Sequence, residues 1–130
     1  MPVVEMQPTI SDARHLEVYN LAFGLSLEIH KASLEFPKTE QFAMADQLRR
    51  ASKSICANLA GRIRPPAIFK QEFKRFLMLA ASSCAEVKVW LDYCIELKYI
   101  TRSQYAGWSD QYDKVSRMLH KLRRKLIVDS

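Results

Sequence analysis

Phe36-Pro37-Lys38-Thr39-Glu40-Gln41-Phe42, followed by Gln47-Leu48-Arg49-Arg50-Ala51-Ser52-Lys53-Ser54-Ile55-Cys56-Ala57-Asn58-Leu59-Ala60-Gly61, is the stretch that decides how this chain folds. Pro37 has no amide hydrogen to donate and pushes Phe36 toward extended backbone, so a helix arriving from the N-terminal side stops there. Thr39 can cap the next helix. Beyond it Leu48, Ser52, Ile55 and Leu59 recur in steps of four, three and four, which puts them on one buried face. Asp46, Arg50, Lys53 and Ala57 hold the same steps on the other side. Gly61 weakens this helix, and Pro65-Pro66 ends it by Arg64.

The same period extends outward in both directions. Ser11 or Asp12 can cap a first helix, whose apolar positions are Leu16, Tyr19, Ala22 and Phe23, Leu25 or Ser26, Ile29 and Ala32. Residues 1–10, with Pro2 and Pro8 and no period, read as a flexible N-terminal arm, leaving 11–130 as a single domain. A third helix starts at or just after Pro66 and carries Phe69, Phe73, Leu77, Ala80, Cys84, Val87, Leu91 and Cys94 in steps of four or three, ending near Tyr99. Thr101 caps a fourth, which repeats Tyr105, Trp108, Tyr112, Val115, Leu119, Leu122 and Leu126. No strand-like alternation and no internal repeat interrupts this pattern. Four long helices joined by short turns predict an all-α, antiparallel, up-down-up-down four-helix bundle.

Composition sets outer limits. A chain of 130 residues, 48% hydrophobic, is one domain with ample core, and a net charge of +6 permits acidic or nucleic-acid partners without requiring them. Cys56, Cys84 and Cys94 are odd in number and widely spaced, which reads as buried free thiols in a reducing compartment. No basic start leads into an apolar core as in a signal peptide, and the longest apolar run, Phe76 to Ala81, is too short to span a bilayer. A cytoplasmic protein away from membranes is expected.

The chemistry-bearing residues assemble no catalytic pattern. His15, His30 and His120 lack a ligand three or four residues on, and the cysteines lack metal spacing. The glycines, at 24, 61 and 107, form no phosphate-cradling loop, and no nucleophile elbow exists. Glu17 and Glu28 are followed at the third position by Asn20 and Lys31, so a di-iron bundle is excluded. Asp92 and Glu96, one turn and two beyond Lys88, read as surface ion pairing. The expectation is a protein that is not an enzyme and that holds no metal or cofactor.

Two further features call for partners. Glu86 adjoins the core position Val87, where a carboxylate is costly unless paired; Arg49 or Arg50 of the second helix is the candidate partner, and a solvated Glu86 the alternative. Leu21, Leu27, Phe76, Leu79, Val89, Trp90 and Ile95 lie off the main seams. Phe76, Leu79 and Trp90 form part of a second stripe that either widens the core or serves as an oligomer interface or a seat for a partner protein.

The basic residues are the remaining signal. Arg49, Arg50, Lys53, Arg62, Arg64, Lys70, Lys74 and Arg75 are opposed only by Glu72 in their window, and Arg117, Lys121 and Arg124 make a stripe on the last helix. Such stripes can track a phosphate backbone without reading bases, although basic helix ends also complement the helix dipole. Subunits arranged in a ring would multiply these weak contacts. Arg49, Arg50, Lys53, Arg62 and Arg64, then Lys121 and Arg124, are the candidate RNA- or DNA-binding residues, with Arg49 and Arg50 also candidates for a structural role. The rival is a protein-interaction scaffold, for example a reverse-transcriptase accessory factor, that does not touch nucleic acid.

These residues resemble the bacterial four-helix bundle family encoded in intervening sequences of 23S rRNA genes. The matches are Phe36-Pro37-Lys38, Gln47-Leu48-Arg49-Arg50-Ala51, Ser54-Ile55, Asn58-Leu59-Ala60, Phe73-Lys74-Arg75-Phe76-Leu77, Ala80-Ala81, Ser83-x-x-Glu86 and Leu97-Lys98-Tyr99-Ile100. The family's Ala-Glu-Gly is replaced by Ala60-Gly61-Arg62-Ile63-Arg64-Pro65-Pro66, without the acidic residue. The resemblance implies an antiparallel bundle that assembles as a ring, a homopentamer. In fold and charge the chain is also similar to the accessory variability determinants of diversity-generating retroelements, basic pentameric barrels that bind a reverse transcriptase and nucleic acid; no residue signature assigns it to that group.

Overall fold

The computed structural model describes residues 16–60 and 66–128. The elements are α1 (Glu17–Ser33), a 3₁₀ turn (Lys38–Glu40), α2 (Met44–Ala60), α3 (Pro66–Glu96) and α4 (Arg102–Val128), with no strand among the described residues. The N-terminal arm and the Ser11 or Asp12 cap lie outside the described residues, as do Arg62 and Arg64.

Each helix packs on two neighbours: α1 on α2 and α4, and α3 on α2 and α4. The diagonal pairs do not meet among the described residues. Side-chain bonds show how the neighbours run. Arg49 of α2 reaches Ser33 of α1, whereas Cys56, two turns later, reaches the Tyr19 carbonyl. Likewise Asp92 pairs with Tyr105 and Cys84 with the Tyr112 carbonyl.

The predicted seams of three helices are buried. Leu48, Ser52, Ile55 and Leu59 close the α2 face; Phe73, Leu77, Ala80, Cys84, Val87, Leu91 and Cys94 close that of α3. On α4, Trp108, Tyr112, Val115, Leu119 and Leu126 are buried, with Tyr105 and Leu122 half-buried beside them. Each large side chain so removed from water contributes about 1.5–3 kcal/mol before entropy is counted. On α1 the expected Ala22 and Ile29 are buried, as are both Leu25 and Ser26, with Leu16, Tyr19 and Ala32 half-buried against the core; Phe23 departs from expectation. Val18, Ala22, Leu25, Ser26, Ile29 and Ser33 face the core, and Phe23 stands 46% exposed. The hydroxyls of the buried Ser26 and Ser33 satisfy themselves on carbonyls three residues back.

Two turns fix the helix ends. Thr39 does not cap α2. A 3₁₀ turn intervenes, and Glu40 Oε1 accepts from Met44 N at 3.3 Å instead. A carboxylate there satisfies a free amide and faces the positive end of the helix dipole. The α3–α4 turn is a Schellman motif, with Tyr99 N on Cys94 O at 2.9 Å and Lys98 N on Ile95 O at 3.1 Å. Its left-handed position is Lys98, at φ 64°. Thr101 caps α4 as the sequence predicts: Gln104 N donates to Thr101 Oγ1 at 3.0 Å, and Gln104 Oε1 accepts from Thr101 N at 2.9 Å.

Candidate nucleic-acid interface

The two arginines beginning α2's basic cluster have different surroundings. Arg49 is half-buried and acts as a clamp. Its guanidinium donates to Ser33 Oγ at 2.7 Å, to Gln41 O at 2.8 Å and to Gln41 Oε1 at 3.3 Å. Gln41 in turn donates to the carbonyls of Ser33 and Phe36 at 2.9 and 3.0 Å. This network ties the end of α1 and the following turn to α2 and occupies three of the five donors a phosphate could use. Arg50 is exposed and paired with Asp46 at 2.8 Å, one helical turn earlier.

Glu86 binds neither arginine. It is exposed and accepts from Trp90 Nε1 at 3.2 Å. The expected Arg–Glu86 bridge is therefore replaced by other bonds: Ser33 and Gln41 hold Arg49, Asp46 holds Arg50, and Glu86 is exposed and held by Trp90. The bond that does cross from α2 to α3 joins Ser54 Oγ and Ser83 Oγ at 2.9 Å, with Asn58 Nδ2 donating to Ser54 Oγ at 3.1 Å. Ser83 lies one turn before Glu86, so the signal was in the sequence, attached to the wrong neighbour.

Lys53 is exposed and donates to His30 Nδ1 at 2.9 Å. The Lys53 charge foremost, then partial burial and the Arg49 charge, hold the His30 ring below its ordinary value of 6.5, in the neutral form that can accept this bond.

The basic stripe on α4 is arranged differently. Lys114, Arg117, Lys121 and Arg124 are exposed and enter no ion pair among the described residues. From Lys114 to Leu126 the helix carries no carboxylate. The nearby pair Lys88–Asp113 ends the acidic part of α4. Arg49, Arg50 and Lys53 thus stand toward the Tyr99 turn, whereas Lys121 and Arg124 lie in the last turns of α4. The five described candidates therefore do not form one patch; Arg62 and Arg64 lie outside the described residues.

The candidate oligomer-interface residues also separate. Leu79 is 41% exposed; Phe76 is half-buried under the Arg75 guanidinium, 5.3 Å from its ring centroid. Trp90 is half-buried against the core and 5.9 Å from the Tyr93 ring. Sequence reasoning passed over Met78, Tyr93 and Phe42, all exposed.

Burial pushes the Cys56, Cys84 and Cys94 thiols up to about 11, so they remain protonated and unreactive near neutrality. No cluster of three His, Cys, Asp or Glu suited to a metal occurs among the described residues, and none of the described helices is long and apolar enough to cross a membrane. An open groove of about 750 Å³ separates α1 from α4, where Gly24 and Gly107 leave space and Trp108 Nε1 donates to Glu28 Oε1 at 3.0 Å.

No curated protein sequence matches the chain. Among solved structures, a crystal structure of a protein of unknown function from the S23 ribosomal protein family of Bacteroides thetaiotaomicron superimposes with a TM-score of 0.70. It is 22% identical, and the match covers 82% of this chain and 95% of that one. That likeness shows the shared four-helix fold. The model of the 23S rRNA-intervening sequence protein family matches residues 14–121. The span includes the Phe36–Pro37 turn, the Arg49 clamp and the Ser54–Ser83 bond, and the chain belongs to the 23S rRNA-intervening sequence protein family.

Proposed function

We propose that this protein is a non-enzymatic, antiparallel up-down-up-down bundle that assembles as a homo-oligomeric ring and binds RNA or DNA through backbone charge. The observation that carries the reading is the α4 stripe: Lys114, Arg117, Lys121 and Arg124, exposed on one helix and in no ion pair among the described residues. Cations held this way can neutralise successive phosphates and release their counterions, without reading bases. Lys121 and Arg124 therefore move to first place among the candidates, with Lys53 second. Arg49 is structural, and Arg50 is partly neutralised by Asp46. Arg62 and Arg64 adjoin the start of α3 in sequence and remain candidates. A five-membered ring follows from the family resemblance. The buried free thiols fit work in the reducing cytoplasm.

The rival, a protein scaffold that does not touch nucleic acid, draws on the exposed apolar side chains of α1 and α3. Titration of a labelled RNA or DNA strand at rising salt separates the two. The proposal expects binding that weakens with salt and is weaker in Lys121→Glu/Arg124→Glu than in the parent. Absence of binding at low salt would favour the scaffold.

A further inference from the structure

The groove of about 750 Å³ between α1 and α4 falls in the size range of small-molecule sites, about 300–1,000 Å³. Gly24 and Gly107 line it from its two sides, each inside a long helix, where a glycine costs about 1 kcal/mol relative to alanine. A Cβ added at either would meet no atom within 4 Å, so the packing of the chain on itself requires neither glycine. Both keep open a space that the described residues leave unfilled. Its charged lining residues, Glu28 and Lys31, cancel, and the Glu28 carboxylate is already held by Trp108 Nε1. Leu21 and Leu25 supply apolar surface, and Gln104 and Gln111 supply amides. The Gln104 oxygen accepts from Thr101 N, whereas Gln111 is exposed and enters no hydrogen bond among the described residues. Such a lining suits a flat, neutral group with donors and acceptors along its edge, as a nucleobase has.

Position links this groove to the cations of α4. Gly107, Lys114 and Lys121 are seven apart, as are Gln104 and Gln111, with Lys125 fourteen further on. The α4 wall of the groove therefore continues along the same side of the helix as the basic stripe. Carboxylates lie on these faces too: Asp110 is one turn before Lys114, and Glu17 is seven residues before Gly24 on α1. Both are exposed, but Lys114, Arg117, Lys121, Arg124 and Lys125 outnumber them. A phosphate chain that follows the stripe toward the start of α4 thus arrives at the groove. We propose that the groove between α1 and α4 receives the bases of a single nucleic-acid strand whose phosphates run along the α4 stripe. The bases of a duplex are stacked and paired within it, so the ligand is single-stranded. The inference rests on the reading of the stripe as a phosphate track and names the form of nucleic acid that this track takes.

The test titrates the full-length protein, at low salt, into a labelled mixed-sequence strand and into the duplex that strand forms with its complement, in RNA and in DNA versions. The parent should bind at least one kind of strand about tenfold or more tighter than its duplex. Gly24→Leu/Gly107→Leu fills the groove from Cβ positions that have room, with a residue that favours helix, so the variant should fold. It should bind the strand no better than the duplex, while duplex affinity stays within about twofold of the parent because the cations are untouched. If the leucines impair folding, Gln111→Leu at an exposed position replaces them; it should lower strand affinity about threefold or more and leave the duplex unaffected. Equal binding of strand and duplex by the parent, or a preference for the strand that survives these substitutions, overturns the inference and leaves the phosphate track standing. A change of mass by light scattering on filling the groove would show that another copy occupies it, and this too overturns the inference. A parent that binds neither strand nor duplex overturns both readings.

Discussion

Tyr99 donates its hydroxyl hydrogen to Glu40 Oε2 at 2.7 Å, while the other oxygen of that carboxylate caps Met44 N at 3.3 Å. One carboxylate thus fastens the start of α2 to the turn that ends α3, fifty-nine residues away in sequence. The Phe36 ring, with its centroid 5.3 Å from that of Tyr99, closes the same corner. Glu40→Ala should lower thermal stability, and Tyr99→Phe should do so less, since it removes one bond and keeps the cap. Thermal melts of the two variants check the order; equal losses would show that the cap contributes nothing.

Arg49 and Glu86 should differ sharply under mutation. Arg49→Ala removes three hydrogen bonds from a half-buried cation and should cost about 2–3 kcal/mol in urea denaturation. Glu86→Ala lies on the surface and should stay within about 0.5 kcal/mol of the parent. Large losses in both variants would revive an Arg–Glu86 pairing.

Lys98 occupies a left-handed position that suits glycine, at φ 64°. Lys98→Gly should stabilise the fold by about 1 kcal/mol, because the unfavourable contact of Cβ with the backbone disappears. A lower midpoint in denaturant would contradict this account of the turn.

The Tyr112 hydroxyl is buried with no hydrogen-bond partner among the described residues. Burial, the largest cause, pushes its ionisation far above the ordinary tyrosine value. Tyr112→Phe should therefore be neutral or stabilising by up to about 1 kcal/mol. A loss of about 2 kcal/mol or more would mean that the hydroxyl is bonded after all.

The thiols set the alkaline limit. Cys56, Cys84 and Cys94 ionise near 9.0 when exposed and at about 11 in the fold. Their pKa values are raised by folding, so their stability contribution is complete below pH 9 and is lost between 9 and 11. Melting temperature should fall over that range, and the decline should be shallower in a Cys56→Ala/Cys84→Ala/Cys94→Ala variant compared with its own value at pH 7. Identical slopes would place the loss elsewhere.

Much of the fold was legible because it depends on periodicity, which needs no knowledge of the neighbours. The α3 and α4 seams and the Thr101 cap follow from spacing alone. What was missed depends on pairing. Phe23 and Val18, five residues apart, point to different sides of α1, and which one faces the core is decided by the neighbouring helices rather than by local spacing. Thr39 carries a suitable cap side chain, but Glu40 can reach both Met44 N and Tyr99, a tertiary choice. For the candidate site, the charges were visible and their occupation was not. Arg49 and Arg50 read as equivalent in sequence, yet Gln41 and Ser33 claim one and Asp46 the other.

The most direct measurement is fluorescence anisotropy of a labelled nucleic-acid strand against the full-length protein at several salt concentrations. The account predicts log affinity falling linearly with log salt, by about 0.7–0.9 for each phosphate neutralised, with a smaller slope in Lys121→Glu/Arg124→Glu. Binding indifferent to salt, or unchanged in that variant, would contradict it.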